Sequence, residues 1–234
     1  MEILEISDER EPLADAALEL IGQAFSRPDR QPLSELRSEV AEKRMGLLAA
    51  MDFHLMAAVT SDGEVVGTAA GIYLEGVNAG FVTYLAVSPH FQGRRLGPSL
   101  RSALVRCLRR DARAAGHPDL AWALGEIEAD SDWLTRLLQR RAAITFDLTY
   151  FHPGMNPEST TSAFILYRQP VGDEREVLPA DEVRRILYSI YRRGYRVRYP
   201  LVHSGFQDML LQLQDREWVG EHPGFPRRPP PLVE

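Results

Sequence analysis

An α/β fold is what this sequence predicts, and three observations carry the prediction. Phe81 to Val87 is an apolar run with β-branched and aromatic residues, the pattern of a buried strand. After Pro89 comes a turn with two glycines and two arginines, Gln92-Gly93-Arg94-Arg95-Leu96-Gly97. Leu100, Leu104 and Leu108 then recur at helical spacing. Around this strand–turn–helix unit, short strand patterns and amphipathic helical patterns follow one another through residues 1–170.

In chain order, Glu2 to Ser7 alternates like a first strand. Asp8 or Glu11 can open a helix running to Ala24 or Phe25, with Leu13, Ala16, Leu20 and Ala24 on one face, and Pro28 breaks it. Pro32 to Met45 reads as a second helix. Phe53 to Thr60 is a strand, Ser61-Asp62-Gly63 a hairpin turn, and Glu64 to Leu74 the next strand. The central unit follows, its helix stopped by Gly116-His117-Pro118. Leu120 to Glu128 is a strand. Asp130 or Ser131 caps a helix to Arg141. Ile144 to His152 and Ser162 to Arg168 are two further strands, joined by the polar stretch 153–161. Beyond 170, a helix from Asp181 or Pro179 to Arg193 is expected, ended by Gly194. Ser204 and Gln207 are placed as a capping box before another helix. Residues 171–221 should pack on the domain formed by 1–170. The stretch 222–234 holds five prolines and is expected to be disordered.

Composition narrows the function. The chain has 234 residues, a formal net charge of −6 and 44% hydrophobic residues, which suits a globular protein with a sizeable core and argues against a general nucleic-acid binder. Six arginines between 184 and 198 interleave with Tyr188, Tyr191 and Tyr195. A charged helix face with inward tyrosines accounts for that better than nucleic acid does. Cys107 is the one cysteine, so no internal disulfide forms. No run of about 18 apolar residues exists, no membrane partner is expected, and a cytoplasmic location is the default. The six histidines are scattered and no metal cluster stands out.

The turn can hold an anion. Free N–H groups at a helix start and the helix dipole attract phosphate. Glycine allows close approach, Arg94 and Arg95 can add charge-assisted bonds, and Pro98 suits the first turn. An ordinary α/β connection with a solvated arginine pair would share these features. The box from Gln92 to Gly97, after a Leu-Ala-Val strand end, resembles the Q/R-x-x-G-x-G/A box of the GNAT superfamily, the acyl-CoA-dependent N-acyltransferases. Arg95 stands where the middle glycine is usual, and can serve if it avoids positive φ.

That resemblance implies a mixed central sheet flanked by helices, with the C-terminal helices as an extension. It implies acetyl-CoA or another acyl-CoA as co-substrate. Gln92, Gly93, Arg94, Arg95, Leu96, Gly97, Pro98 and Ser99 would hold the pyrophosphate. Leu85, Ala86 and Val87 would pair with the pantetheine arm. Glu126 to Leu138 resembles the family's second strand-to-helix passage, with Ser131 for the usual Asn, Leu138 for Tyr and Ala142 for Gly. The tyrosine that protonates the departing thiolate in many members is therefore missing at Leu138.

An amine must lose a proton before it attacks a thioester, so a base is needed. Glu126 and Glu128 share one strand face by the period of two and are the candidates. Edge carboxylates paired with arginine would look the same. Glu75 is a weaker candidate base. Tyr84, Tyr150 and His152 can stand in for the missing acid, and Tyr73, Glu75, Tyr150 and His152 can line the acceptor side. The expected reaction is direct transfer of an acetyl group to a primary amine of a small molecule. The alternatives are transfer to a protein amine, and a binding or regulatory module that has lost turnover. A homodimer is left open.

Overall fold

The structure, a computed structural model, describes residues 1–25, 30–47, 53–153 and 163–227. The break expected at Pro28, most of the 153–161 connection and the last seven residues lie outside these.

Eight strands form one sheet: β1 (Glu2–Glu5), β2 (His54–Val59), β3 (Val65–Leu74), β4 (Ala79–Val87), β5 (Trp122–Glu128), β6 (Ile144–Thr145), β7 (Tyr150–Phe151) and β8 (Ala163–Pro170). Their order is β1-β2-β3-β4-β5-β8-β6, with β7 also on β8. Only the β4–β5 pair is parallel. A parallel pair needs a crossover, and α3 (Leu96–Ala114) supplies it. The sheet is thus mixed, as expected.

Strand alternation sends side chains to two covered faces. On one, Leu96, Leu100, Leu104 and Leu108 of α3 pack on Val82, Ala69 and Tyr73. Gly67, Gly71 and Gly80 let α3 lie close: a Cβ at Gly80 would come within 2.6 Å of Leu108. The helix α4 (Asp132–Gln139), capped by Ser131 through Trp133 N–H, covers Ile165 and Tyr167 on this same face. On the other face, α1 (Pro12–Ala24) and α2 (Leu33–Arg44) bury Leu55, Ala57, Ala70 and Tyr84.

The extension fills the rest of that second face. β9 (Leu178–Pro179) leads into α5 (Ala180–Ser189), then come α6 (Ser204–Gln212) and β10 (Trp218–Val219), which pairs back with β9. Val183, Leu187, Ile190, Phe206, Met209 and Leu213 pack on Ile72, Phe81, Trp122 and Leu124. The apolar spacing of this segment therefore marks part of the core.

Several expectations change. The strand expected over 144–152 is split into β6 and β7. Gly194 does not end α5. The chain widens into a π turn over Ile190–Gly194, with Tyr195 N–H on Ile190 O at 3.0 Å, and reverses at Arg196, φ 55°. Ser204 is the first residue of α6 and caps nothing, while Gln207 Nε2 bonds Leu201 O at 2.9 Å. Residues 222–227 are not a loose tail. His222 N–H reaches Thr145 O at 3.3 Å, Thr145 Oγ1 donates to Phe225 O at 3.0 Å, and Arg227 binds Glu221 and Glu176. Prolines prevent a helix there but not docking by single polar and aromatic contacts.

Candidate active site

The site begins where the sheet splits. β4 and β5 pair only over Ala79–Phe81 with Trp122–Leu124. Pairing stops at Phe81, so among the described residues the β5-facing edge of β4, through Leu85, Ala86 and Val87, has no strand partner. A register shift opposite Ala70/Gly71 places Thr83 as an extra residue in β4, which bends the strand here.

The Gly/Arg turn closes the open end. Among the described residues, no backbone carbonyl takes the N–H of Gly93, Arg94, Arg95, Leu96 or Gly97. Gly93 has φ 77° and Arg95 φ 60°. The expectation that Arg95 avoids positive φ is thus overturned: it takes up the left-handed geometry that suits glycine, at a cost of about 1 kcal/mol or more. Gln92 Nε2 donates to Val87 O at 3.2 Å and ties the turn to the strand end. Arg94 lies over the Phe91 ring at 5.1 Å. At Gly97 a Cβ would meet only Val87 Cγ2, at 3.9 Å, so the helix start is open to approach. Pro98 and Ser99 follow in the first turn of α3, with Ser99 Oγ turned back to Arg95 O.

A buried polar cluster lies beyond the apex of the split, on the face covered by the extension. β5 keeps an unbroken register against β8 from Trp122 to Glu128, so Glu126 and Glu128 do share a face. Glu126 is buried, its side chain 8% exposed, whereas Glu128 is exposed at the strand end. Tyr195 Oη donates to Glu126 Oε1, and His152 Nε2 stands 3.3 Å from the same oxygen. Glu126 Oε2 is buried and makes no hydrogen bond among the described residues. The Tyr150 and Tyr195 hydroxyls have their pKa pushed well up by burial first and by the Glu126 charge second. Tyr191 Oη donates to Phe151 O and fixes the strand that carries Tyr150.

Tyr84 borders the cluster. Its hydroxyl accepts the Gln31 N–H at 2.9 Å, and burial, with the Glu126 and Glu39 charges, raises its pKa. Glu39 of α2 is held by Arg196 Nε at 3.1 Å. Burial lifts its pKa to about 7 despite that arginine.

The structure therefore gathers Glu126, Tyr150, His152 and Tyr84, with Glu128 at the rim. It does not bring Tyr73 or Glu75 to them. β3 runs antiparallel to β4, so Tyr73 and Glu75 lie at the end where β4 begins: Tyr73 is level with Ala123, three residues from Glu126 along β5, and Glu75 lies further still. Tyr73 also points into the α3 core and donates to Asn78 Oδ1 at 3.0 Å, and Glu75 is exposed. Tyr195, Tyr191, Arg196 and Glu39 are the members that sequence reasoning missed.

Comparison with known proteins agrees with this geometry. Residues 16–140 match the profile of the acetyltransferase (GNAT) family, more than half of the chain, and the protein belongs to that family. A solved GNAT-family protein from Bacteroides thetaiotaomicron superposes with a TM-score of 0.59 at 15% identity, over 84% of this chain and 99% of that one. A ribosomal-protein-alanine N-acetyltransferase from Brucella melitensis gives 0.51 at 16%, over 73% and 99%. No curated protein sequence matches. At these identities the likeness is one of fold. No helix among the described residues is long and apolar enough to cross a membrane.

Proposed function

We propose that the protein is an acyl-CoA-dependent N-acyltransferase, acetylating a small primary amine in the simplest case, with Glu126 as the base. One observation carries this reading: among the described residues, the β4–β5 split has a turn of N–H groups without backbone acceptors at its open end and a carboxylate with one buried, unbonded oxygen beyond its apex. Residues 92–99 hold the pyrophosphate, and the unpaired edge through Leu85–Val87 pairs with the arm. N–H groups on that edge are the candidates to polarise the thioester carbonyl.

The amine arrives as an ammonium, which suits Glu126 Oε2. The carboxylate takes one proton, the nitrogen attacks the carbonyl carbon, and the tetrahedral adduct gives its second nitrogen proton to solvent as it collapses to amide and coenzyme A thiolate. A free thiol has a pKa of about 8.5, so thiolate departure near neutral pH is not prohibitive without a tyrosine at 138.

Calorimetry on Gly97→Asp tests the coenzyme site. The change adds a carboxylate where phosphate would sit. The variant should fold, since a Cβ there has room. Affinity for acetyl-CoA should drop at least tenfold. Unchanged affinity in the folded variant rules the site out. Mass spectrometry of amine pools incubated with acetyl-CoA identifies the acceptor.

A further inference from the structure

Two arginines carry guanidinium atoms inside the protein, and they differ. Arg168 on β8 is engaged: Nη1 and Nη2 donate to Arg175 O and Glu176 O at 2.5 and 2.8 Å, between the Trp122 and Phe146 rings. Arg101 on α3 is not. Its Nε and Nη2 are closed off from solvent, and neither finds an acceptor among the described residues. Burial pushes the arginine's pKa down, and the Tyr167 hydroxyl, near enough to act on it by charge and as a weaker acceptor, only partly offsets that. Arg101 as a residue is half-buried, but charged N–H groups shut off from water without an acceptor are unfavourable, so an anionic acceptor is what the Nε and Nη2 edge lacks.

The orphaned atoms define the shape of that group. Nε and Nη2 form one edge of the guanidinium plane, with two N–H bonds spaced for the two oxygens of a carboxylate. The chain uses this same edge elsewhere, in Arg10 on Asp8, Arg44 on Glu9 and Arg109 on Asp119. A single neutral carbonyl oxygen would use the edge less completely than a carboxylate.

The location selects the source. Tyr167 lies under α4 with Leu137 and Ala143, and its hydroxyl rests on Gly125, where a Cβ would come within 2.5 Å. Gly125 is the first β5 residue past the last β4 pair, so it marks the apex of the split. A coenzyme with its pyrophosphate on the 92–99 turn runs its arm along β4 toward this apex. Its acyl group ends beside Gly125, with Glu126 on one face of β5 and the Tyr167 hydroxyl, next to Arg101, on the other. We propose that Arg101, with Tyr167, binds a carboxylate on the acyl chain, so that the protein takes a dicarboxylic acyl thioester in preference to a neutral one of equal length. This rests on the coenzyme reading above.

The test is calorimetry with free coenzyme A, butyryl-CoA and succinyl-CoA, which share the coenzyme and differ at the acyl end. The unmodified protein should bind succinyl-CoA at least tenfold more tightly than butyryl-CoA. Arg101→Met should abolish the difference while leaving free coenzyme A affinity intact. Arg101→Lys, which keeps the charge without the two-pronged edge, should leave only part of the preference. Coenzyme binding with no succinyl preference overturns the carboxylate site alone. No binding of any of the three overturns this proposal and the coenzyme reading together. An Arg101→Met protein that melts well below the parent assigns the side chain to structure and also overturns the proposal.

Discussion

Two ionic clusters, each around a buried histidine, sit on either side of β3 and β4 in the strand order, and they are finished to different degrees. In the first, His54 Nδ1 lies 2.6 Å from Glu5 Oε1 and 3.0 Å from Lys43 Nζ, and His54 Nε2 lies 2.6 Å from Asp111 Oδ2. Lys43 Nζ joins Glu5 at 2.9 Å and Phe53 O at 2.7 Å, and Arg110 reaches Glu5 at 3.2 Å. Glu5, His54 and Cys107 place ligand-type atoms within 4.8 Å of one another, a grouping that their sequence positions hid. Lys43 and both His54 bonds already use those atoms, so this cluster ties β1, β2, α2 and α3 together. In the second, Glu126 has one oxygen bonded and the other without a hydrogen bond among the described residues, with the Tyr150 hydroxyl beside the carboxylate. A closed network has no capacity for a further ion, whereas an open one is completed by what binds there.

The largest expected difference is in turnover. Glu126→Gln keeps shape and removes proton acceptance, so turnover should fall by about 10²–10⁴-fold, the range for a positioned base. Acetyl-CoA affinity should hold, and stability should move by no more than about 1 kcal/mol, because no paired charge is left uncompensated. Full turnover in this variant, with Glu128→Gln reduced instead, would shift the base to the rim of the site.

The same kind of substitution in the closed cluster should act on stability. His54→Gln strips the cation from between two carboxylates and should cost about 3–5 kcal/mol, measured by denaturant unfolding, with turnover per folded molecule unchanged. A pH series checks the cause. Burial works against the His54 charge, but hydrogen bonds to Asp111, Cys107 and Glu5 outweigh it and hold the pKa up at about 10, above the ordinary 6.5. A raised folded pKa means the contribution is complete below pH 6.5 and is lost as pH climbs through 10. The parent should therefore lose stability across that window relative to His54→Gln. Parallel curves would show that the ring is not charged in the fold.

The fold was legible because its signals are local. The β-branched run at 81–87, Ser61-Asp62-Gly63 and the leucines of α3 each announce one element. The turn was legible because its glycines, arginines and Gln92 are contiguous. Arg95 was misjudged, since nothing in sequence says that the turn forces φ 60° on that residue. The chemical cluster was legible only in part. Glu126 and Glu128 share a face by simple alternation. Tyr73 and Glu75 were placed by sequence neighbourhood, which an antiparallel partner strand carries to the far end of the sheet. Tyr195 is separated from Glu126 by 69 positions and reaches it through a π turn. Gly194 permits that contact, because a Cβ there would strike the Phe81 ring at 2.9 Å. No pattern in the chain encodes that approach.

Tyr195 also gives the finest probe of the contrast, because it belongs to the extension and touches the proposed base. Tyr195→Phe removes one hydroxyl and keeps the ring, which packs edge-on against Phe81 at 5.6 Å and His152 at 4.6 Å. A hydrogen bond to a charged group contributes about 1.5–3 kcal/mol, and His152 Nε2, 3.3 Å from the same oxygen, should recover part of that. The lost bond helped to fix the carboxylate in place, so turnover should fall by about tenfold, since 1.36 kcal/mol corresponds to a factor of ten in rate. Coenzyme affinity should not change. A side chain that serves packing alone would lower the melting temperature and leave turnover per folded molecule where it was. That result would separate the extension from the chemistry and leave Glu126 oriented by His152.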